Sequence, residues 1–193
     1  MQDPKTRILV IDLEATCDED RRIPTDEMEI IEIGACWATA TGEVLDQFQS
    51  FVRPLLRPTL TSFCGSLTGI RQTDVDSARP FAEVAIDLTK FACLNSSGEE
   101  FWTSWGAYDR SQIERDSLRC GIPNPLPMPH SNAKRRFAKA HRIGKEVGMT
   151  KALELAGIPL LGAHHRALDD ARNIARLLPW ILGERTLKLR RAS

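Results

Sequence analysis

The chain has no apolar run long enough to span a bilayer, and its first seven residues hold no apolar segment of the kind that opens a secretory leader. A membrane-spanning role and export are therefore not expected, and the expected location is cytoplasmic. Cysteine is sparse and dispersed: Cys17, Cys36, Cys64, Cys93 and Cys120 stand singly, with no CxxC pair. An odd, scattered set argues against a disulfide framework or a zinc site and fits reduced core thiols. Net charge is also missing, with 26 Lys and Arg against 26 Asp and Glu, so any polyanion would have to be held by a local patch. There is no internal repeat and no low-complexity tract. What is present is 193 residues of ordinary globular composition, enough for one domain with a real core. That domain is expected over residues 1–183, with 184–193 as a basic, frayed tail.

The most informative stretch is Arg7-Ile-Leu-Val-Ile-Asp12-Leu-Glu14-Ala-Thr16. Residues 8–11 are an unbroken β-favouring apolar run, which suits a central strand buried on both faces. Asp12 and Glu14 follow it at i and i+2, so their carboxylates project to one side, roughly 6–7 Å apart at the Cα atoms. Two like charges at the end of a buried strand repel each other and lose hydration, and a hard divalent cation with oxygen ligands relieves both costs. The competing reading is that the two acids merely end the strand in solvent.

Residues 18–29 read as a polar loop, 30–39 as a second strand and 44–52 as a third. Val44, Phe48 and Val52 are expected on one face, with Thr41-Gly42 as the hairpin turn. A short helix is expected over 60–67, stopped at Gly69, and a longer one over 81–93, followed by a turn at 95–98. Residues 101–105 form a fourth strand that hands over to a helix ending near Cys120. Prolines at 123, 125, 127 and 129 make the next segment extended. A helix over 132–140 carries Lys134, Arg135, Arg136 and Lys139, a cluster that suits either a solvated face or phosphate contact. Another helix covers 149–156.

Two further acids complete the picture. Asp109 lies where the fourth strand meets its helix, either as a first-turn acid complementing the dipole or at the sheet edge where α/β folds bind ligands. Asp170 shares a helical row with Ile174, Leu177 and Ile181, which places an acid on the buried face. Asp169 falls in the row with Asn173 and Arg176 and is expected outward, and Pro179 should end or kink the helix near Leu178. Asp12, Glu14, Asp109 and Asp170, with a histidine shortly before the last, suit a two-metal phosphoryl-transfer site: carboxylates hold two ions and a base deprotonates the water.

These residues carry a family resemblance. Asp12-Leu-Glu14, Trp105-Gly-Ala-Tyr-Asp109 and His165-Arg-Ala-Leu-Asp-Asp170-Ala resemble, in order, the three motifs of the histidine-containing (DEDDh) branch of the DEDD-superfamily 3′–5′ exonucleases. Phe63-Cys-Gly-Ser-Leu-Thr-Gly-Ile70 and Ala163-His-His-Arg-Ala-Leu-Asp-Asp-Ala-Arg-Asn-Ile-Ala-Arg176 are similar to the group of histone-mRNA 3′ exonucleases and their bacterial relatives. The resemblance implies an RNase H-like α/β fold, a mixed five-stranded sheet with helices on both sides, whose extra short strand would lie near 131–134. It implies two divalent ions, Mg²⁺ or Mn²⁺, with Asp12, Glu14 and Asp170 on one, Asp12 bridging to the second and Asp109 acting through water. It selects His165 over His164 as general base. It also implies that Ala15, Thr16, Leu67, Thr68 and Ile70 grip the terminal nucleotide. The expected activity is 3′–5′ hydrolysis of single-stranded nucleic acid, RNA ahead of DNA, releasing nucleoside 5′-monophosphates. A DNA proofreading or repair exonuclease and a nuclease-fold binding protein without catalysis are the alternatives.

Overall fold

The structure is a computed structural model and describes residues 7–20, 22–94 and 100–187. Its centre is strand β1, Arg7–Ala15, in which Ile8, Leu9, Val10 and Ile11 are wholly buried, as the apolar run requires. β1 pairs antiparallel with β2 (Ile30–Thr39), which pairs antiparallel with β3 (Val44–Phe51). On its other side β1 runs parallel to β4 (Trp102–Ser104), and β4 parallel to β5 (His130–Asn132). The sheet is therefore mixed and five-stranded, in the order β3-β2-β1-β4-β5.

Helices cover both faces. One face of β1 and β2, carrying Ile8, Val10, Cys36 and Ala38, packs on the helices later in the chain through Phe137, Leu153, Ala171, Ile174 and Leu178. The other face, with Leu9, Ile11, Ile33, Ala35 and Trp37, packs on Phe81, Val84, Leu88 and Ile113. In chain order the helices are α1 (Ser62–Thr68), α2 (Gln72–Asp76), α3 (Phe81–Leu94) and α4 (Tyr108–Cys120), then α5 (Ala133–His141), α6 (Met149–Ala156), α7 (Ala167–Arg176) and α8 (Leu178–Ile181). Thus α3 and α4 lie on one face and α5 to α8 on the other, while α1 and α2 close the end of β1 and β2 through Ile31, Cys64, Ile70 and Val75. None of the described helices is long and apolar enough to cross a membrane.

Several expectations change in detail. Val44 does not share a face with Phe48 and Val52. Asp46 pairs with Trp37 but Val44 with Ala38, and the bulge between them turns Val44 to the α7 side while Phe48 and Val52 face α3. Residues 72–76, not singled out as a helix, form α2, and Arg71 and Asp74 close its first turn reciprocally. Asn173 is not outward: it is wholly buried, and its amide bonds both the N–H and the carbonyl of Leu161, so a loop covers that row. Only Cys36 and Cys64 are fully buried thiols, whereas Cys93 is exposed near the end of α3. The turn expected at 95–98 lies outside the described residues. Within the segment expected as a tail, the Arg185 N–H donates to the Pro179 carbonyl and its guanidinium sits over Trp180. The break at Leu177 between α7 and α8 falls where Pro179 predicts it.

Candidate active site

β1 outruns its parallel neighbour. β4 pairs with β1 only at Leu9 and Val10 and ends at Ser104, so the last third of β1 has no strand on that side. The N–H of Leu13 donates instead to Asp109 Oδ1 at 3.2 Å, from the first turn of α4. Asp109 thus stands in for the missing strand and lies beside the carboxylates of β1. On the other side of β1, Asp12 is the register partner of Gly34 and Glu14 that of Glu32. A Cβ at position 34 would lie 2.1 Å from the Ala167 carbonyl carbon and the Leu168 nitrogen. Glycine there lets the start of α7 rest directly on β2, which brings Asp170 over Asp12.

The result is a closely spaced acid cluster. Asp12, Glu14 and Asp170 each offer a carboxylate oxygen within 4.8 Å of the others, and Glu14 and Asp170 are buried. Burial, together with the charges of Asp109, Glu14 and Asp170, holds the Asp12 carboxyl well above the usual carboxylate range. Burial, with Asp170 and Glu32 nearby, pushes Glu14 up to about 8, and burial pushes Asp109 up to about 6. Asp170 Oδ2 accepts the N–H of His165 at 3.0 Å and lies 2.9 Å from His164 Nδ1, yet its Oδ1 is buried with no hydrogen-bond partner. Crowded carboxylates plus an unmatched buried oxygen form an all-oxygen donor set that a hard divalent cation satisfies, so the residues fit the metal that the motifs imply.

The histidines take different positions. His165 has a left-handed backbone, φ 63°, in the turn before α7. That places its half-exposed imidazole beside the acids, with Nδ1 4.0 Å from Glu14 Oε1. Partial burial and the neighbouring His164 lower its pKa, favouring the neutral ring that can accept a proton. His164 stacks on it at 3.9 Å between ring centroids and turns its own Nδ1 to Asp170.

Sequence reasoning passed over Glu32 and Arg166. Glu32 is wholly buried on β2, and its carboxylate accepts from Arg166 Nε and Nη2 and from the N–H of Ala167. An acid in the middle of an apolar strand is the same signal that singled out Asp170, and it was available in the sequence.

Of the residues expected at the terminal nucleotide, only Leu67 presents its side chain to solvent. The Thr16 hydroxyl accepts from the Glu29 N–H, the Thr68 hydroxyl donates to the Cys64 carbonyl, and Ile70 packs with Cys64 and Val75. Cys64 also lies against the Ala15 carbonyl, so α1 and its exit are drawn to the end of β1 beside the acids. The basic cluster of α5 is split. Arg136 turns to Ser131 and lies over the Phe101 ring, whereas Arg135 and Lys139 are exposed.

The Exonuclease family model matches residues 9–178, which include Asp12, Glu14, Asp109, His165 and Asp170. The chain is 34% identical over 178 residues to human 3'-5' exoribonuclease 1, covering 88% of this chain and 50% of that protein. It is 29% identical over 206 residues to the 3'-5' exonuclease eri1 of Schizosaccharomyces pombe, covering 92% of this chain and 68% of that one. Among solved structures, the nuclease domain of 3'hExo, described as a DEDDh family member bound to rAMP, superposes with a TM-score of 0.80 at 29% identity, covering 92% of each chain. The chain spans about half the length of the human relative. With the family model spanning most of its length, the chain belongs to the exonuclease family, in the DEDDh branch and the group of the histone-mRNA 3′ exonucleases.

Proposed function

We propose that the chain is a metal-dependent 3′–5′ exonuclease that hydrolyses single-stranded nucleic acid from its 3′ end, RNA ahead of DNA, and releases nucleoside 5′-monophosphates. The observation that carries this reading is the trio Asp12, Glu14 and Asp170, converging within 4.8 Å and leaving Asp170 Oδ1 unmatched. The names of the human and yeast relatives support the direction of attack, and that of the human relative supports RNA. Asp12, Glu14 and Asp170 would hold divalent cations, Mg²⁺ or Mn²⁺, with Asp109 contributing through water. When bound, such ions stabilise the negative charge that develops on the phosphoryl, attacking and leaving oxygens.

The chain's own residues do the rest. His165, neutral and half-exposed beside Glu14, takes the proton of the attacking water at a ring nitrogen. Asp170 fixes the turn that carries it by accepting the His165 N–H. The backbone at Ala15 and Thr16, with Leu67, Thr68 and Ile70 from the α1 exit, grips the terminal nucleotide. Because Thr16 and Thr68 spend their hydroxyls inside the protein, that grip comes from backbone groups and the Leu67 side chain. A cytoplasmic location is part of the proposal and is supported only by the five single, dispersed cysteines.

The test is purified protein on matched 5′-labelled single-stranded RNA and DNA oligomers with Mg²⁺, Mn²⁺ or a chelator. A ladder shortening from the 3′ end, faster on RNA and silent with chelator, is expected. Faster cleavage of DNA would reassign the substrate, and cleavage that persists in chelator would overturn the metal-dependent reading.

A further inference from the structure

α5 carries a cationic row that the chemistry above does not use. Arg135 and Lys139 are spaced i and i+4 on one side of the helix, and Arg142 follows at its C-terminal cap, so the three span about 10 Å along it. The chain then turns back sharply. Arg142 caps α5 with φ 51° and Gly144 follows at φ 74°, left-handed positions that return residues 144–146 alongside the helix. Helix and returning loop flank a shallow, open cleft of about 550 Å³ whose lining includes Arg135, Lys139, Arg142, Lys145 and Glu146. Four cations meet one acid there, and that acid is 3.6 Å from Arg135. Among the described residues no ion pair is found for Lys139, Arg142 or Lys145. In a chain with no net charge this is a local excess, held in a concavity by a backbone that accepts a left-handed arginine to form it.

The cleft also has a physical connection to the acid site. α5 lies on the same sheet face as α7, with Phe137 and Ile174 in one packed cluster. The returning loop is tied down where Trp105 Nε1 donates to the Val147 carbonyl at 3.0 Å, and the Trp105 ring packs 5.9 Å from that of Phe137. Trp105 leaves the end of β4 only four residues before Asp109. The cleft wall is therefore anchored to the sheet edge from which the acids project.

We propose that Arg135, Lys139, Arg142 and Lys145 hold the backbone phosphates of the substrate strand upstream of its 3′-terminal nucleotide. This rests on the nuclease reading of the neighbouring site. A row of about 10 Å exceeds one phosphate and suits a strand of repeating charge. The cleft offers guanidinium and ammonium groups but no aromatic ring on which a base could stack, so the contact is electrostatic and indifferent to sequence.

The test is the double variant Lys139→Gln/Lys145→Gln, whose side chains are exposed and whose backbones are not left-handed. Binding of a long single-stranded RNA is measured by fluorescence anisotropy in chelator over a range of salt, and cleavage is measured on that RNA and on a dinucleotide. Expected are roughly tenfold weaker binding and a salt slope shallower by about 1.4, because two phosphate contacts are lost. KM for the long RNA should rise with kcat kept, and dinucleotide cleavage should be unchanged. An unchanged salt slope overturns the proposal, as does an equal loss on the long and short substrates. So does weaker binding to anionic lipid vesicles with RNA binding intact. Because anisotropy in chelator needs no catalysis, an absence of cleavage in the unmodified protein would count against the nuclease reading while the cleft is still tested.

Discussion

Arg166 forks onto Glu32: its Nη2 lies 3.0 Å from Oε1 and its Nε 3.2 Å from Oε2, while Oε2 also accepts the N–H of Ala167 at 3.1 Å. Glu32 faces Glu14 across the β1–β2 pairing, and Arg166 follows His165 directly. One buried carboxylate therefore clamps the turn that holds the histidine to the strand beside the acids. Glu32→Gln keeps the shape but leaves Arg166 without its countercharge. It should cost about 2–4 kcal/mol in chemical unfolding, at or below the range for a broken buried pair because Arg166 is partly exposed. As a positioning residue, Glu32 should affect kcat by tenfold or more while metal affinity, read by calorimetry, changes little. A loss of stability with kcat intact would make the pair purely structural.

Much of this was legible from residue pattern. The run at residues 8–11 is buried on both faces because no polar atom interrupts it, and Asp170 is inward because its helical row is otherwise apolar. The resemblance supplied the fifth strand, which at three residues is too short to show a period. Three features were not legible for physical reasons. The bulge that turns Val44 to the other face depends on pairing with a second strand. The burial of Asn173 depends on a loop whose position is tertiary. The cleft that brings Lys145 back beside Arg135 and Lys139 depends on the left-handed turn at Arg142, a conformation usually signalled by glycine or asparagine.

Gly34 is expected to tolerate no side chain. Its absent Cβ would meet the backbone of Ala167 and Leu168, which cannot move without lifting α7 from the sheet. Gly34→Ala should destabilise the protein by about 1–3 kcal/mol and reduce activity further by drawing Asp170 away from Asp12. Thermal melts and single-turnover cleavage of the same preparation check this, and wild-type turnover would show that α7 accommodates the methyl group.

Removing one acid should separate stability from function. Asp12 is forced above the ordinary carboxylate range by burial and by Asp109, Glu14 and Asp170. Asp12→Asn or Asp170→Asn should abolish cleavage while the metal-free Tm holds or rises by a few degrees, about 1 kcal/mol of relieved repulsion. Scanning calorimetry in chelator beside an activity assay makes the comparison. Retained activity in Asp170→Asn would sink the assignment of that residue.

The acids also set a pH dependence with a definite sign. Glu14 is raised from 4.5 to about 8 in the folded chain, so between those values the folded state binds more protons than the unfolded one. Metal-free stability should therefore be greatest below about pH 4.5 with respect to this group, fall as pH rises through the window, and level off above pH 8. Saturating Mg²⁺ should flatten the decline, because a bound cation replaces the protons. Melting curves across pH with chelator and with Mg²⁺ test it, and a chelator curve that rises from pH 5 to 8 would contradict the crowding of these carboxylates.

The two histidines should behave differently although they stack on each other. His164 Nδ1 is engaged with Asp170, whereas the His165 ring lies 4.0 Å from Glu14 and is held neutral by burial and by its neighbour. His165→Ala should lower kcat by about 10²–10³ with little change in metal affinity, in the range for loss of a general base. His164→Ala should leave kcat within a few-fold, since the His165 N–H still holds Asp170 at 3.0 Å. Because burial and His164 lower the His165 pKa from the ordinary imidazole value, the wild-type kcat at saturating Mg²⁺ should show an acid limb on the acid side of that value, and the limb should disappear in His165→Ala. The pH profile distinguishes a base from a prop: a uniformly lowered profile that keeps its acid limb, or equal losses from the two substitutions, would move the proton transfer to another group.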